Sequence, residues 1–199
     1  MNKKAEQRRS QLLKAAFNAA FEKGYEFVTL QDISDYAGVS KGVTSYYFKN
    51  KAEVFSQLFE WLTDRIYEKE TASVKERVTA LEKLDAYINQ VFINPEDNSK
   101  FYRVYLDFLS HTKQNHQYKM INDKFYKNCW SIGHEIISQG IEEGVFGVDD
   151  VEQASISMRC MIDGSLIQWL MREDDALHRY YKQACQESIL QILHVKEKH

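Results

Sequence analysis

Proline and glycine are scarce in this sequence, with one proline and eight glycines among 199 residues. A protein built from short strands needs both residues in its many tight turns, so their scarcity argues against a strand-rich fold. Helix interiors, in contrast, exclude proline and tolerate glycine poorly. Apolar residues also recur at intervals of three and four along most of the chain, which is typical of helices that bury one face. We therefore predict an all-α fold of about nine helices.

The sequence also shows no sign of a disulfide framework or a membrane span. Its three cysteines, Cys129, Cys160 and Cys185, are odd in number, far apart and embedded in apolar helical patterns. No apolar run approaches the ~18 to 20 residues of a membrane span, and the charged N-terminus lacks the apolar core of a signal peptide. We expect a soluble cytoplasmic protein without a membrane partner.

Several common patterns for catalysis and metal binding are missing. The chain lacks a His-Glu-x-x-His pair, a phosphate-cradling glycine loop and a Cys-x-x-Cys pair. His111 and His116 are five positions apart, a spacing that separates them on the surface of a helix. We expect a protein that is not an enzyme and that needs no cofactor or metal.

Residues 29–48 predict two short helices joined by a tight turn. Thr29 can cap the first helix with Asp32 as its partner, and Gly38 can end that helix in the left-handed conformation. Ser40 is a natural N-cap for a second helix that begins at Lys41. This is the pattern of a helix-turn-helix, which serves either as a DNA-binding element or as plain scaffold.

Charge is unevenly distributed along the chain. Residues 1–51 contain nine Lys/Arg and five Asp/Glu, a balance of +4. The other 148 residues contain seventeen and twenty-four, a balance of −7, and the two balances sum to the net charge of −3. A basic N-terminal segment on an acidic remainder is typical of a protein that contacts phosphates at one end.

The wider pattern around the helix-turn-helix resembles that of a known family. The run AGVSKG at residues 37–42, a Tyr-Phe pair ending the second helix and Lys51 opening the next helix are similar to the DNA-binding domain of the tetracycline-repressor (TetR) family. Ser45 stands where many members have tyrosine, and residues 43–48 are closer to the BetI-like branch. The resemblance is specific over about the first fifty-five residues and includes Arg9, Leu12, Leu13, Ala15, Ala16, Phe17, Phe21 and Gly24.

The resemblance implies two domains. Residues 1–50 would form a three-helix DNA-binding domain, and residues 51–199 an effector-binding and dimerisation domain, with the fourth helix linking the two. The second helix of the helix-turn-helix would enter the major groove, and flanking helix N-termini would hold phosphates. The predicted DNA-binding residues are Thr29, Ser40, Lys41, Gly42, Thr44, Ser45, Tyr46, Tyr47 and Lys51.

Aromatic residues are concentrated in the fifth, sixth and seventh predicted helices. At helical spacing such residues usually form core, but pockets are also lined by aromatic rings with a few polar groups. The TetR resemblance implies that these helices enclose an effector cavity, for which we expect a small hydrophobic or aromatic ligand, with a cation as second choice. The candidate effector-binding residues are Trp61, Tyr87, Phe101, Tyr102, Tyr105, Phe108, Phe125, Tyr126 and Trp130.

Apolar stripes on the last two predicted helices suggest a dimer surface. In the TetR family these helices pair with their copies as a four-helix bundle, whereas the alternative is that both stripes face the interior of their own chain. The candidate interface residues are Met158, Met161, Ile162, Ser165, Leu166, Trp169, Cys185, Ile189 and Ile192.

These observations together predict a transcriptional regulator. The form that we expect is a ligand-responsive repressor that binds palindromic double-stranded operator DNA as a homodimer. One alternative is a helical small-molecule carrier or enzyme whose helix-turn-helix is only scaffold, and another is a DNA-binding protein that uses its C-terminal part only to dimerise. Salt-dependent binding to promoter DNA separates the carrier from the regulator, because a carrier would show none.

Overall fold

The computed structural model describes residues 3–195, which form nine α-helices and two 3₁₀ turns without a strand in that range. This confirms the predicted all-α class. The 3₁₀ turns are Tyr25–Phe27 and Asp175–Leu177. The helices are α1 (Lys3–Lys23), α2 (Leu30–Tyr36), α3 (Lys41–Tyr47), α4 (Lys51–Lys75), α5 (Ala80–Val91), α6 (Pro95–Ser110), α7 (His116–Glu142), α8 (Val151–Leu170) and α9 (His178–Ile192).

Helices α1 and α6 both begin with mainly polar residues. Helix α1 includes residues 3–7, whereas residues 1 and 2 lie outside the described range. Helix α6 begins at Pro95. Proline fits a first helical turn because the N–H that it lacks has no partner there, and the Asn94 side chain caps the helix by accepting from the Asp97 N–H at 2.8 Å.

The described chain divides into two compact units. The first unit contains the residues up to Asp64 together with Arg103–Asp123, and the second contains Arg65–Tyr102 together with the residues from Lys124 onward. The division falls within helices α4, α6 and α7. These two units do not coincide with the two domains predicted from the sequence, which meet at residue 50.

Each unit has its own apolar core. Burying one large apolar side chain stabilises a fold by roughly 1.5–3 kcal/mol, so even the small first unit gains much from its rings and aliphatic groups. The fully buried residues of the first unit include Leu12, Ile33, Phe48, Phe55, Phe59, Phe108 and Tyr118. Those of the second unit include Tyr87, Ile88, Phe125, Ile136, Phe146, Ile162, Leu166 and Ile189.

All three cysteines are free thiols, of which Cys129 and Cys185 are buried and Cys160 is exposed. No helix within residues 3–195 is both long and apolar enough to cross a membrane.

Candidate DNA-binding and ligand-binding sites

The first turn of α2 has the predicted capping box. The Thr29 hydroxyl accepts from the Asp32 N–H at 3.1 Å, and the Asp32 carboxylate accepts from the Thr29 N–H at 2.8 Å. Hydrogen bonds from Lys23 and Thr29 hold the pKa of Asp32 well below its usual range. At the other end, Gly38 has a φ of 63°, so the predicted left-handed helix end is confirmed. Local contacts therefore define both ends of α2, the first helix of the helix-turn-helix.

A buried hydroxyl pair locks α3 against α2. The Ser34 and Thr44 hydroxyl oxygens lie 2.7 Å apart, and both side chains are fully buried. Ser34 Oγ also donates to the Leu30 carbonyl at 2.8 Å. The prediction that Thr44 contacts DNA is therefore wrong for its side chain, because Thr44 marks the inward face of α3.

The opposite face of α3 is open to solvent. Lys41, Gly42, Ser45 and Tyr46 are all exposed, and the Tyr46 side chain is 83% exposed. Tyr47 is half-buried and packs edge-on against Tyr46, with ring centroids 5.2 Å apart. Ser40 occupies the N-cap position but makes no capping hydrogen bond, and it too is exposed. These positions have the orientation that a groove-reading helix needs, and their DNA contacts stay predictions.

Lys51 has an intramolecular role that the sequence does not predict. Its Nζ donates to the carbonyls of Tyr25 and Glu26, each at 3.0 Å, and lies 4.6 Å from the centroid of the Tyr25 ring. A lysine engaged in this way already holds the loop between α1 and α2. Any contact that it makes with a DNA phosphate would share the ammonium with these carbonyls.

Tyr25 connects this loop to α6 and α7 within the first unit. Its N–H donates to Asp107 Oδ2 at 2.8 Å, and its hydroxyl lies 3.1 Å from that of Tyr118. His111 packs beside the same ring at a centroid distance of 4.4 Å. These partners are more than eighty residues away in sequence, and no local pattern indicates them.

The structure places the candidate effector-binding aromatics in both units. Trp61, Tyr105 and Phe108 belong to the first unit, and the other six to the second. Five of the nine are buried and four are half-buried. Whether any of them contacts a ligand stays a prediction. The buried five are Tyr87, Tyr102, Tyr105, Phe108 and Phe125, and the half-buried four are Trp61, Phe101, Tyr126 and Trp130.

Two of the buried tyrosines have protein partners for their hydroxyls. Tyr102 donates to Asp163 Oδ1 at 2.9 Å, and Tyr105 donates to Asn122 Oδ1 at 2.6 Å. Neither hydroxyl therefore needs a ligand to complete its hydrogen bonding. Tyr87 differs, since its hydroxyl is buried and has no partner among the described residues.

A charged cluster inside the second unit was not predicted from the sequence. Arg159 is buried, and its Nε and Nη2 donate to the two carboxylate oxygens of Asp163 at 3.1 and 2.6 Å. Arg159 Cζ also lies 5.2 Å from the centroid of the Phe125 ring. Glu70 is buried as well, and burial raises its pKa to about 7, although Arg159 opposes the rise. The available signal was the position of Arg159, which interrupts the apolar stripe of α8.

Most of the candidate dimer residues are buried within their own chain. This burial supports the alternative interpretation, in which these side chains pack inside their own chain. Met161 and Ile192 are half-buried and stay candidates. The residues buried within the chain are Met158, Ile162, Ser165, Leu166, Trp169, Cys185 and Ile189.

A different face of α8 points outward. Cys160 and Gln168 are exposed, Met161 and Ile167 are half-buried, and Gly164 lies between them. A Cβ atom added to Gly164 would meet nothing within 4 Å. The face therefore combines apolar side chains with a point where another backbone can approach closely.

Metal ligands do not assemble anywhere in the part of the chain that the structure describes. Within residues 3–195, no group of three or more His, Cys, Asp or Glu side chains is placed to hold a metal ion.

Two family models match the chain over separate stretches. Residues 12–58 match the model of the bacterial regulatory proteins of the tetR family. Residues 80–194 match the model of the C-terminal part of BetI-type transcriptional repressors. The first match contains the helix-turn-helix, and the second extends from α5 beyond the end of α9.

Known proteins resemble the chain over nearly its whole length. It is 26% identical over 185 residues to the fatty acid metabolism regulator protein of Bacillus subtilis (strain 168), with 92% of each chain covered. The crystal structure of the transcriptional regulator FadR from Bacillus subtilis in complex with stearoyl-CoA superposes with a TM-score of 0.71 at 26% identity, covering 96% of this chain and 99% of that one.

A further structure resembles the chain in fold alone. A transcriptional regulator from Saccharomonospora viridis in complex with choline superposes with a TM-score of 0.88 at 19% identity, covering 96% of this chain and all of the other.

Proposed function

Because the chain belongs to the TetR family of bacterial regulatory proteins, we propose that it represses transcription as a homodimer on a palindromic operator and releases that DNA when a small molecule binds. Its relatives are transcriptional regulators, so the chain is a DNA-binding regulator and not an enzyme. The observation that supports the DNA contact best is the open face of α3 around Tyr46, opposite the locked Thr44. We expect it in the cytoplasm, where its operator lies.

We place the DNA contacts on the outward side of the helix-turn-helix. Lys41, Gly42, Ser45 and Tyr46 would face base edges in the major groove, because the N-terminal part of a recognition helix is what reaches them. Tyr47, Thr29, Ser40 and Lys51 would hold the flanking phosphates. Thr29 and Lys51 could do so with their helix N-termini even while their side chains keep the hydrogen bonds described above. In this proposal, residues 1–50 are the DNA-binding domain.

Tyr46→Ala is expected to weaken binding to the selected operator by roughly 5-fold to 100-fold, since a good base contact is worth about 1–3 kcal/mol. Binding to random-sequence duplex should change little. The operator would be selected from random duplexes by repeated rounds of binding, and affinity measured by fluorescence anisotropy at several salt concentrations.

Tyr180→Ala is the matched control, because Tyr180 is an exposed tyrosine on α9 with 65% of its side chain accessible. This variant should bind the operator like the unmodified protein. If the unmodified protein shows no salt-dependent binding to any duplex, the carrier alternative replaces the regulator.

We propose that the second copy of the chain covers the outward face of α8. Two DNA-reading units related by a two-fold axis require a palindromic site with half-sites on the order of 34 Å or more apart, and such a site requires a dimer. Gly164 provides the point of close approach, and the half-buried Met161 and Ile167 provide apolar area on each side. Met171, with 64% of its side chain exposed, continues this surface beyond the end of α8.

Gly164→Glu is expected to produce folded monomers. A glutamate at this position meets open space within one chain, so folding should be preserved and the helix propensity of α8 improved. In a dimer the same side chain would be forced between two helices. Sedimentation velocity reports the assembly state, and thermal unfolding followed by circular dichroism reports folding.

Gln153→Glu, at an exposed position in the first turn of α8, is the charge-matched control and should stay dimeric. A Gly164→Glu protein that sediments as an unchanged dimer would place the dimer surface elsewhere.

The effector is proposed to be a largely hydrophobic molecule held by the part of the chain after residue 50. The FadR relative, at 26% identity, was crystallised with stearoyl-CoA, which has a long acyl chain. The aromatic residues of α5 to α7 offer apolar and ring surfaces for such a ligand. The ligand lowers operator affinity only to the extent that it prefers the conformation that does not bind DNA.

A further inference from the structure

Besides Thr71 Oγ1, three polar atoms in the core of the second unit lack partners. They are Glu70 Oε2, Tyr87 OH and Arg159 Nη1, and none of them has a hydrogen-bond partner among the described residues. All three side chains are at least nine-tenths buried. A buried polar group without a partner costs roughly 1–3 kcal/mol, and more when it is charged. Three such groups in one core are therefore unfavourable unless something other than the chain satisfies them.

The three groups belong to one electrostatic cluster. They lie on different helices: Glu70 on α4, Tyr87 on α5 and Arg159 on α8. Burial and the negative charge of Glu70 raise the pKa of Tyr87. The charge of Arg159 and its approach to the Tyr87 hydroxyl, which falls short of a full hydrogen bond, lower it. Arg159 likewise lowers the pKa of Glu70 against the effect of burial. Each group thus responds to the charge of another, as neighbours in a dry core do.

The rest of the cluster is saturated. Asp163 accepts from Arg159 Nε and Nη2, and Tyr102 donates to the same carboxylate. Only the Nη1 side of the guanidinium is left over. Cys129 lies nearby, and burial raises its pKa to about 12, so it stays a neutral thiol. The groups that still lack a hydrogen-bond partner are therefore Arg159 Nη1, the Tyr87 hydroxyl and Glu70 Oε2.

We propose that Glu70, Tyr87 and Arg159 bind the polar headgroup of the effector, and that this headgroup is uncharged and carries a hydrogen-bond donor beside an acceptor, as in a primary amide or an alcohol. The inference rests on the proposed effector-binding function and specifies the ligand. The headgroup accepts from Arg159 Nη1 and Tyr87 OH and donates to Glu70 Oε2.

Charge matching favours a neutral headgroup over either ion. The charge of Arg159 is already offset by Asp163, whose two carboxylate oxygens accept hydrogen bonds from Arg159 Nε and Nη2. Above pH 7, where Glu70 is ionised, a ligand carboxylate would therefore meet two carboxylates without a free cation to offset them. A ligand ammonium would meet the guanidinium of Arg159 at short range. An amide or hydroxyl satisfies both a donor and an acceptor without adding charge to a dry core.

The test compares four probes that share one eight-carbon chain and differ in the headgroup: octanamide, 1-octanol, octanoate and octylammonium. Each is titrated into the full chain at pH 8, where Glu70 is ionised, and binding is followed by calorimetry and by tryptophan fluorescence. We expect octanamide and octanol to bind at least tenfold more tightly than the two ions, because neither ion has a free counter-charge in the cluster.

The hydroxyl of Tyr87 is tested by Tyr87→Phe. Removing a buried hydroxyl that has no protein partner should leave thermal stability unchanged or slightly raised, so the variant should fold. Its affinity for octanamide should fall by roughly threefold to tenfold, the effect of one lost hydrogen bond. Tyr180→Phe, at an exposed site on α9, is the control and should bind octanamide normally.

Two kinds of result overturn the proposal. Tightest binding of octanoate or octylammonium, or binding of none of the four probes, shows that the cluster does not select a neutral headgroup. Unchanged octanamide binding by Tyr87→Phe shows that buried water alone satisfies the cluster. Operator affinity of the unmodified protein is measured in parallel, because intact DNA binding in these cases leaves the proposed regulator standing while the headgroup inference fails.

Discussion

Leu166→Glu is expected to unfold the second unit, and not to separate two folded subunits. Leu166 lies on α8 and is fully buried within a single chain. The substitution removes about 1.5–3 kcal/mol of leucine burial and places a carboxylate in the core without a partner. We expect the free energy of unfolding to fall by about 4 kcal/mol or more, which removes most of the stability of a protein at the low end of the ordinary range of about 5–15 kcal/mol.

Urea unfolding followed by circular dichroism measures this loss. The exposed substitution Gln153→Glu on the same helix should change the free energy of unfolding by less than about 0.5 kcal/mol. A Leu166→Glu protein that is a well-folded monomer with an unchanged urea midpoint would show that this face of α8 is an interface after all. Together with Gly164→Glu, this experiment tests which face of α8 is covered by its own chain and which is covered by a second copy.

The free energy of unfolding is expected to fall as the pH rises from about 4.5 to 7, and Glu70→Gln should abolish this part of the pH dependence. Burial raises the pKa of Glu70 from 4.5 to about 7. Between these two values the unfolded chain has lost the proton that the folded chain still holds, so raising the pH favours unfolding. The raised pKa corresponds to a difference of about 3 kcal/mol across this range, since one pKa unit is about 1.4 kcal/mol.

The groups that interact with Glu70 are Arg159, Asp163, Tyr87 and Cys129. Of these, Arg159, Tyr87 and Cys129 have ordinary pKa values above the range, and Asp163 forms an ion pair with Arg159 at 2.6 Å. Folded and unfolded protein are compared by urea titration at pH 4.5, 5, 6, 7 and 8 for the unmodified chain and for Glu70→Gln.

Subtracting the two curves removes the contributions of other titrating groups. His178 is one of these groups. Burial lowers its pKa, so its contribution makes the free energy of unfolding rise with pH, whereas that of Glu70 makes it fall. The difference curve should drop by about 3 kcal/mol between pH 4.5 and 7 and then stay level. Parallel curves for the two proteins would show that Glu70 is ionised or solvated in the folded state.

The helix-turn-helix could be predicted almost completely because its contacts are local. Thr29 and Asp32 satisfy each other across three residues, and Gly38 ends α2 by its own conformational freedom. The inward position of Thr44 was not predicted, for a simple reason. Helix α3 has only seven residues, too few for apolar periodicity to show which side faces inward. The contact between the Thr44 hydroxyl and the Ser34 hydroxyl on α2 fixes which side of α3 faces inward.

The apolar stripes of α8 and α9 illustrate a different limit. A stripe shows that a face is covered, but not whether its own chain or a second copy covers it. The buried Ile162, Leu166 and Ile189 are covered by the chain itself. The outward face was hard to see in the sequence because Cys160, Gly164 and Gln168 give it a weak apolar signal.

The amino-acid sequence by itself determined the helical class, the helix-turn-helix and the family, because helix caps, turn glycines and 3.6-residue periodicity act between residues at most four apart. Only the tertiary structure decided the roles of residues whose partners are distant. Lys51 and Asp107 hold the loop at Tyr25, and Arg159 and Glu70 meet in one buried cluster. Their burial and hydrogen bonds arise when helices far apart in sequence pack together, and the free energy of a charge depends on those surroundings.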